Sequence, residues 1–260
     1  MAYTDIIVER KEPAVWITMN KPQRKNAMGL QTLLDLWAVM EEIERDVKVV
    51  AVVIKGAGDA FCSGMDLKDA QTRPDPQDTL AFKRLADRVF DRIENLNKVT
   101  IAMIHGIAMA GGLELAMLCD FMIVDEAARI GDGHIRTGLV PNGGASQRLP
   151  RQIGLRKAKE LLYTGEFISG TEAERIGLAN RAVPADKLQE TVESFIAKLA
   201  DKPPLSLAAM KVIVNRGLEA SLDSGLQFEA QVVRGLSSTE DTKEALAAFA
   251  QKRKPVYKGR

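Results

Sequence analysis

The side chains best suited to chemistry in this sequence are few, and they stand among glycines. His134, one of only two histidines, lies in GDGHIRTGLVPNGG, residues 131–144. Its imidazole titrates near neutrality, so it can take or return a proton there. Glu114 lies in GGLELAML, flanked by leucines on a short stretch that reads as a helix buried nearly all round. A carboxylate in such company is costly unless it is hydrogen-bonded or put to use. Glu114 follows Gly111 by three residues, which places it in the first turn of that helix. General acid or base chemistry is the favoured reading, and stabilisation of a helix N-terminus is the alternative.

Two glycine-rich stretches, GAGDAFCSGMDLKDA (56–70) and HGIAMAGGLELAMLCD (105–120), each follow an apolar run. Glycine lets a ligand approach the main chain closely. The second stretch starts a helix at Gly111-Gly112, where free N–H groups and the positive dipole end collect. Two such loops could cradle a developing oxyanion, or they could be tight turns of an α/β fold. Neither holds the G-x-G-x-x-G or GKS/T pattern of a nucleotide site.

These loops need strands to present them. DIIVERK and AVWITMN read as a strand pair turning at Glu12-Pro13, followed by the helical pattern LQTLLDLWAVMEEIERD. VKVVAVVIKG is a continuous β-branched run, the mark of a strand covered on both faces. The helix TLAFKRLADRVFDRIENL, strand VTIAMIHG, short helix GGLELAMLCD and strand FMIVDE repeat the alternation, which implies an α/β fold with parallel pairing. After residue 150 nearly every pattern is helical. We read a core over 1–195 and a helical appendage over 196–260. Apolar faces at Phe195, Leu199, Ile213, Leu226 and Phe228 call for a cover there, and self-association supplies one.

Motifs in one order along essentially the whole chain resemble the enoyl-CoA hydratase/isomerase (crotonase) superfamily: NKPQRKNAM, GAGDAFCSGMDLK, HGIAMAGGLELAMLCD, GLVPNGGASQRLPRQIG, AERIGLANRAVP and AFAQKRKP. The resemblance implies a spiral of strand-strand-helix turns with a helical C-terminal trimerisation region, the trimers often pairing into hexamers. It implies an acyl-CoA thioester substrate and no separate cofactor, coenzyme A being part of the substrate. By motif position the oxyanion amides are those of Met65 and Gly111. Coenzyme A is expected along Arg24, Lys25 and Ala27 and along Asp66, Leu67 and Lys68, with Phe249 and Lys252 reaching a neighbouring subunit's nucleotide end. Methionine where the family usually has alanine places a larger, flexible apolar group beside the acyl chain.

A family hydratase activates one water with two glutamates. Glu114 matches the first, but seven residues before Pro141, where the second belongs, stands His134. Branches that cleave carbon–carbon bonds use histidine here with an aspartate nine residues later, and that position is Gly143. The orienting acid is therefore missing from its usual place, with Glu114 itself a possible partner. His105, at a strand end, reads as a satisfied structural residue. The leading reading is hydration of a 2-enoyl-CoA through a thioester enolate, with Glu114 and His134 catalytic. The alternatives are carbon–carbon bond hydrolysis, one-base isomerisation, or a crotonase-fold binding protein without catalysis.

The whole chain agrees with that class. A formal net charge of +1 over 260 residues gives no broad attraction to nucleic acid or an acidic membrane. The basic run QKRKPVYKGR at the end reads as a solvated tail. Cys62 and Cys119 fit neither a disulfide framework nor a metal site, so reduced thiols and a cytoplasmic location are expected. The start lacks a secretory or transit pattern, and no apolar run approaches the length of a membrane span.

Overall fold

A computed structural model describes residues 3–72 and 75–260. The larger of its two sheets has the strand order β1 (Ile6–Lys11), β2 (Ala14–Met19), β3 (Ala51–Gly56), β5 (Val99–Ile104), β7 (Phe121–Asp125), β10 (Arg181–Val183). Only the β1–β2 hairpin is antiparallel; every other pairing in this sheet is parallel. The expected β-branched strand over 47–56 starts at Ala51, with Val49 and Val50 buried just ahead of it.

Both faces of this sheet are covered, which is why its strands read as continuous apolar runs. Val15, Ile17, Val52, Ile54, Ala102 and Ile104 point into one layer with α1 (Leu30–Arg45) and α3 (Pro76–Glu94). Trp16, Val53, Ile101, Met103 and Ile123 alternate onto the other face, under Leu188, Val192 and Ile196 of α8 (Leu188–Leu199). The expected division at residue 195 thus falls within a helix whose next residue is still buried against the sheet.

The second sheet is small, and two of its four strands lie inside the glycine-rich stretches. Its order is β4 (Ala60–Cys62), β6 (Ile107–Met109), β8 (Arg129–Gly131), β9 (Ile168–Ser169). The first three strands run parallel, pairing Cys62 with Ala108 and Met109 with Gly131. Parallel neighbours release the chain at the same end, and ligands favour the carboxyl ends of such strands. Three loops therefore leave together: Ser63-Gly64-Met65 after β4, Ala110-Gly111 after β6, and Asp132-Gly133-His134 after β8.

Beyond α8 the chain is helical: α9 (Pro204–Gly217), α10 (Leu222–Leu236) and α11 (Glu240–Ala250). Of the apolar residues expected to need a cover, Phe195 and Leu199 already have one. They pack on the sheet's second face, with the Phe195 ring edge-on to Phe121 at 4.7 Å. Ile213 and Phe228 are half-buried, whereas Leu226 is exposed together with Met210, Leu218 and Leu222. Neither α9 nor α10 carries a buried residue. A half-buried ion pair ties α9 down: Lys211 Nζ meets Asp120 Oδ2 at 2.9 Å and donates to the Lys98 carbonyl at 3.2 Å. Among the described residues, no helix is long and apolar enough to cross a membrane.

Candidate active site

Glu114 sits in α4 (Gly111–Met117), every residue of which is buried, and is itself only 2% exposed. Its burial is compensated from the loop before α5 (Ala145–Ile153). Glu114 Oε1 accepts the Gly143 N–H at 2.7 Å and the Ala145 N–H at 3.1 Å. The latter is the first amide of α5, so the dipole of that helix adds to the hydrogen bonds. Among the described residues nothing donates to Oε2. The carboxylate is thus held by one oxygen, with the other left to meet a substrate or a water.

The loop that holds Glu114 is itself braced. Arg148, on α5, donates to the Gly143 carbonyl at 3.0 Å and grips Glu94 at the end of α3 with two bonds, at 2.7 and 2.5 Å. Fork-on-carboxylate geometry of this kind fixes direction as well as distance.

The two expected oxyanion amides come together because their loops leave adjacent parallel strands. A Cβ placed on Gly111 would lie 3.2 Å from the Met65 nitrogen, and one on Gly64 would lie 2.9 Å from the Gly111 nitrogen. Gly64 has φ +103 and opposes Gly111 backbone to backbone, a contact that a side chain would prevent. Met28 accepts from Asp66 and donates to the Gly64 carbonyl, which pins the chain on either side of Met65. Ala110 is held at φ 49 and ψ −124, a conformation alanine seldom adopts. That rotation turns the peptide joining it to Gly111 and so sets the direction of the Gly111 N–H. Neither the Met65 nor the Gly111 N–H has an acceptor among the described residues.

His134 opens a 3₁₀ turn, His134–Thr137, directly after β8. Its side chain is 14% exposed, and its Nδ1 lies 2.9 Å from Asp132 Oδ1. The hydrogen bond that the imidazole makes to Asp132 holds it above its ordinary value against the opposing pull of burial, and the Glu114 charge adds to the effect. The sequence reading missed Asp132: it sought an orienting acid nine residues after the histidine, and the structure supplies one two residues before it. The reason position 143 is glycine is also plain. A Cβ there would lie 2.5 Å from Glu114 Oε2 and 2.9 Å from the Phe90 ring. The Asp-Gly-His spacing was the available signal. His105 is satisfied by its Nε2 contact to the Gly58 carbonyl at 2.9 Å, and it lies outside this cluster.

The residues expected along coenzyme A divide into two kinds. Arg24 pairs with Asp66, Lys25 pairs with Asp59, and Lys21 reaches Asp5 at 3.4 Å and Asp66 at 3.6 Å. Asp66 is 5% exposed and caps α2 (Leu67–Gln71) through the Lys68 and Asp69 amides. Burial raises its carboxyl, but the Asp69 N–H and the Arg24 and Lys21 cations outweigh that and hold it below the usual range. Asp66 therefore organises the loop, while Leu67 and Lys68 stand exposed on it. Ala27 is buried beneath. Phe249, 86% exposed, and Lys252 stand at the end of α11, where the following residues fold back on Glu244 and Asp241. This single chain does not bring them to the Glu114 cluster. Burial pushes both cysteine thiols up to about 12, which leaves them poor nucleophiles. No group of three or more potential metal ligands occurs among the described residues.

The chain is similar to known enoyl-CoA hydratases along essentially its whole length. The short-chain-enoyl-CoA hydratase of Clostridium acetobutylicum is 36% identical over 255 residues, covering 98% of this chain and 97% of that one. The crotonyl-CoA hydratase of Syntrophomonas wolfei is 35% identical over 258 residues and 99% of each chain. The crystal structure of an enoyl-CoA hydratase from Bacillus anthracis superposes with a TM-score of 0.93 at 34% identity, over 99% of this chain and 100% of that one. With the family model for enoyl-CoA hydratase/isomerase matching residues 9–260, this chain belongs to that family.

Proposed function

We propose that the chain adds water to a 2-enoyl-CoA thioester. The observation that carries the reading is the Glu114 carboxylate, pinned at Oε1 by two amides and open at Oε2, one helical turn from the Gly111 N–H. The thioester carbonyl oxygen accepts from the Met65 and Gly111 N–H groups. Water attacks C3, Glu114 takes a proton from it, and the electron pair moves through C2 into the carbonyl. Two preorganised amides favour the enolate far more than the ground-state carbonyl. His134 is the second group on the water and the proton. The relatives named above support this chemistry and a short acyl group.

In this reading coenzyme A runs past Arg24, Lys25 and Ala27 and along Asp66, Leu67 and Lys68, with the Met65 side chain beside the acyl group. Exposed apolar residues on α9 and α10 fit a trimer or a multiple of three, in which Phe249 and Lys252 reach a neighbour's nucleotide. The two free thiols suit a reducing, cytoplasmic setting.

Incubation with crotonyl-CoA tests the reading. Loss of the conjugated thioester absorbance, with a mass gain of one water, is expected. Unchanged crotonyl-CoA and unchanged longer 2-enoyl thioesters would overturn it. The Asp132–His134 pair favours one second reading, hydrolysis of a carbon–carbon bond in a β-keto thioester. Two shorter products in the mass spectrum would select it.

A further inference from the structure

Asp132 has no part in the hydration reading, yet its whole carboxylate is committed to one residue. It is 0% exposed; Oδ1 lies 2.9 Å from His134 Nδ1 and Oδ2 accepts the His134 backbone N–H at 3.2 Å. No Lys or Arg pairs with it among the described residues. Gly133, at φ 67, bends the chain so that residues 132 and 134 face each other. A buried carboxylate is costly unless paired with a cation or hydrogen-bonded in full. The His134 imidazolium supplies both the charge and the hydrogen bond, whereas the neutral Nδ1–H imidazole supplies the hydrogen bond alone.

We infer that Asp132 is a positioning residue which, together with His134, stands in for one protonated carboxylic acid opposite Glu114. This rests on the hydration reading. Asp132 binds the Nδ1–H of His134 and leaves Nε2 to the substrate. A pair of glutamates sharing one proton carries a net charge of −1. Glu114 (−1), Asp132 (−1) and protonated His134 (+1) also sum to −1, whereas without Asp132 the site would be neutral. The step balances: water's oxygen bonds to C3, its proton goes to Glu114 Oε2, and the C2–C3 electron pair enters the carbonyl. The enolate then returns that pair to C2, which takes the proton from His134 Nε2. Proton return from Glu114 to His134 resets the site, so H and OH are added and nothing is oxidised.

The charged groups that bear on the imidazole are Asp132 and, from α4, Glu114. Arg136, on the same turn, lies over the Phe167 ring at 5.4 Å, and Arg148 is engaged by Glu94 and the Gly143 carbonyl. The Asp132 hydrogen bond holds His134 above its ordinary value, which shifts the imidazole toward the protonated form that the step uses.

With two histidines in the chain, imidazole NMR of the intact protein follows His134 directly, with His105 as reference. The expected result is an Nδ1–H tautomer at high pH and a titration above the ordinary value, falling toward it in Asp132→Asn. In turnover, Asp132→Asn is expected to lower kcat about a hundredfold with little change in KM, and to move the alkaline limb of the pH profile downward. In a His134→Glu background the sign should reverse. There Asp132→Asn raises turnover, because it removes a buried carboxylate facing another. Equal losses in both backgrounds, or an Nε2–H tautomer with an ordinary titration in the unaltered protein, would overturn the inference. The NMR result needs no variant to fold. No turnover of any enoyl thioester, beside an Nδ1–H tautomer and a raised titration, would sink the hydration reading and leave the pair standing.

Discussion

Gly64 and Gly111 meet backbone to backbone, so closely that a methyl on Gly64 would stand 2.9 Å from the Gly111 nitrogen. The contact is what sets the Met65 and Gly111 N–H groups side by side. A side chain at position 64 must push one loop away from the other, and φ +103 strains it besides. Gly64→Ala is expected to lower kcat about 10²–10³-fold, the usual loss for one misplaced oxyanion donor. Met65→Ala, which leaves the amide in place, should keep kcat within about tenfold. Steady-state kinetics with a circular-dichroism check of folding separates the two. Loss of activity in Met65→Ala as large as in Gly64→Ala would show that the side chain, and not the amide, does the work.

Glu114 is held by the Gly143 and Ala145 amides, and that loop is in turn held by Arg148 on Glu94. Glu114→Gln is isosteric and should preserve the fold while lowering turnover by about a hundredfold or more. Arg148→Ala should act more weakly, by about tenfold, because Glu114 keeps its chemistry and loses only the fixed direction of its carboxylate. Lysine cannot reproduce the two-pronged grip, so Arg148→Lys should rescue little. Near-normal turnover in a folded Glu114→Gln protein would remove Glu114 from the proton chemistry.

His134 also links pH to stability. Its folded value lies above the ordinary one of 6.5, chiefly through the Asp132 hydrogen bond. The folded state therefore binds the proton more tightly than the unfolded chain does. This stabilisation is fully present below about pH 6.5 and is lost as pH rises through the folded value. Denaturant midpoints of the native chain and of His134→Gln should differ most near pH ~5.5 and converge well above neutrality. A difference that grows with pH would mean that His134 is buried neutral.

Much of this was legible in the sequence, and the exceptions have physical reasons. The central strands of the large sheet, β2, β3, β5 and β7, are apolar runs, and Glu114 stands out because leucines surround it. The small sheet was not legible. Its strands are two or three residues long and lie among glycines, so no period can be read from them. Asp132 escaped because a lone aspartate between glycines reads as a turn residue, and its ring partner shows only once Gly133 has bent the chain. Phe195 and Leu199 were read as uncovered because helical periodicity shows that a face is apolar without showing what covers it.

The uncovered face that does remain leads to the last expectation. Met210, Leu218, Leu222, Leu226 and Val233 are each more than half exposed along α9, α10 and their link. A half-buried ion pair, Lys211 on Asp120, ties α9 to the core and so sets where that apolar surface points. Contiguous apolar surface rimmed by charge favours association between copies, and closed symmetry satisfies every copy equally. Light scattering at micromolar concentration should give a trimer or a multiple of three. Leu222→Glu with Leu226→Glu should shift it toward monomer. Phe249 is 86% exposed on the single chain, and in the proposed assembly it reaches a neighbour's substrate. The monomeric variant should therefore raise KM for the full coenzyme A thioester more than for a truncated pantetheine thioester. A stable native monomer, or equal KM changes for both thioesters, would place Phe249 and Lys252 outside the binding of substrate.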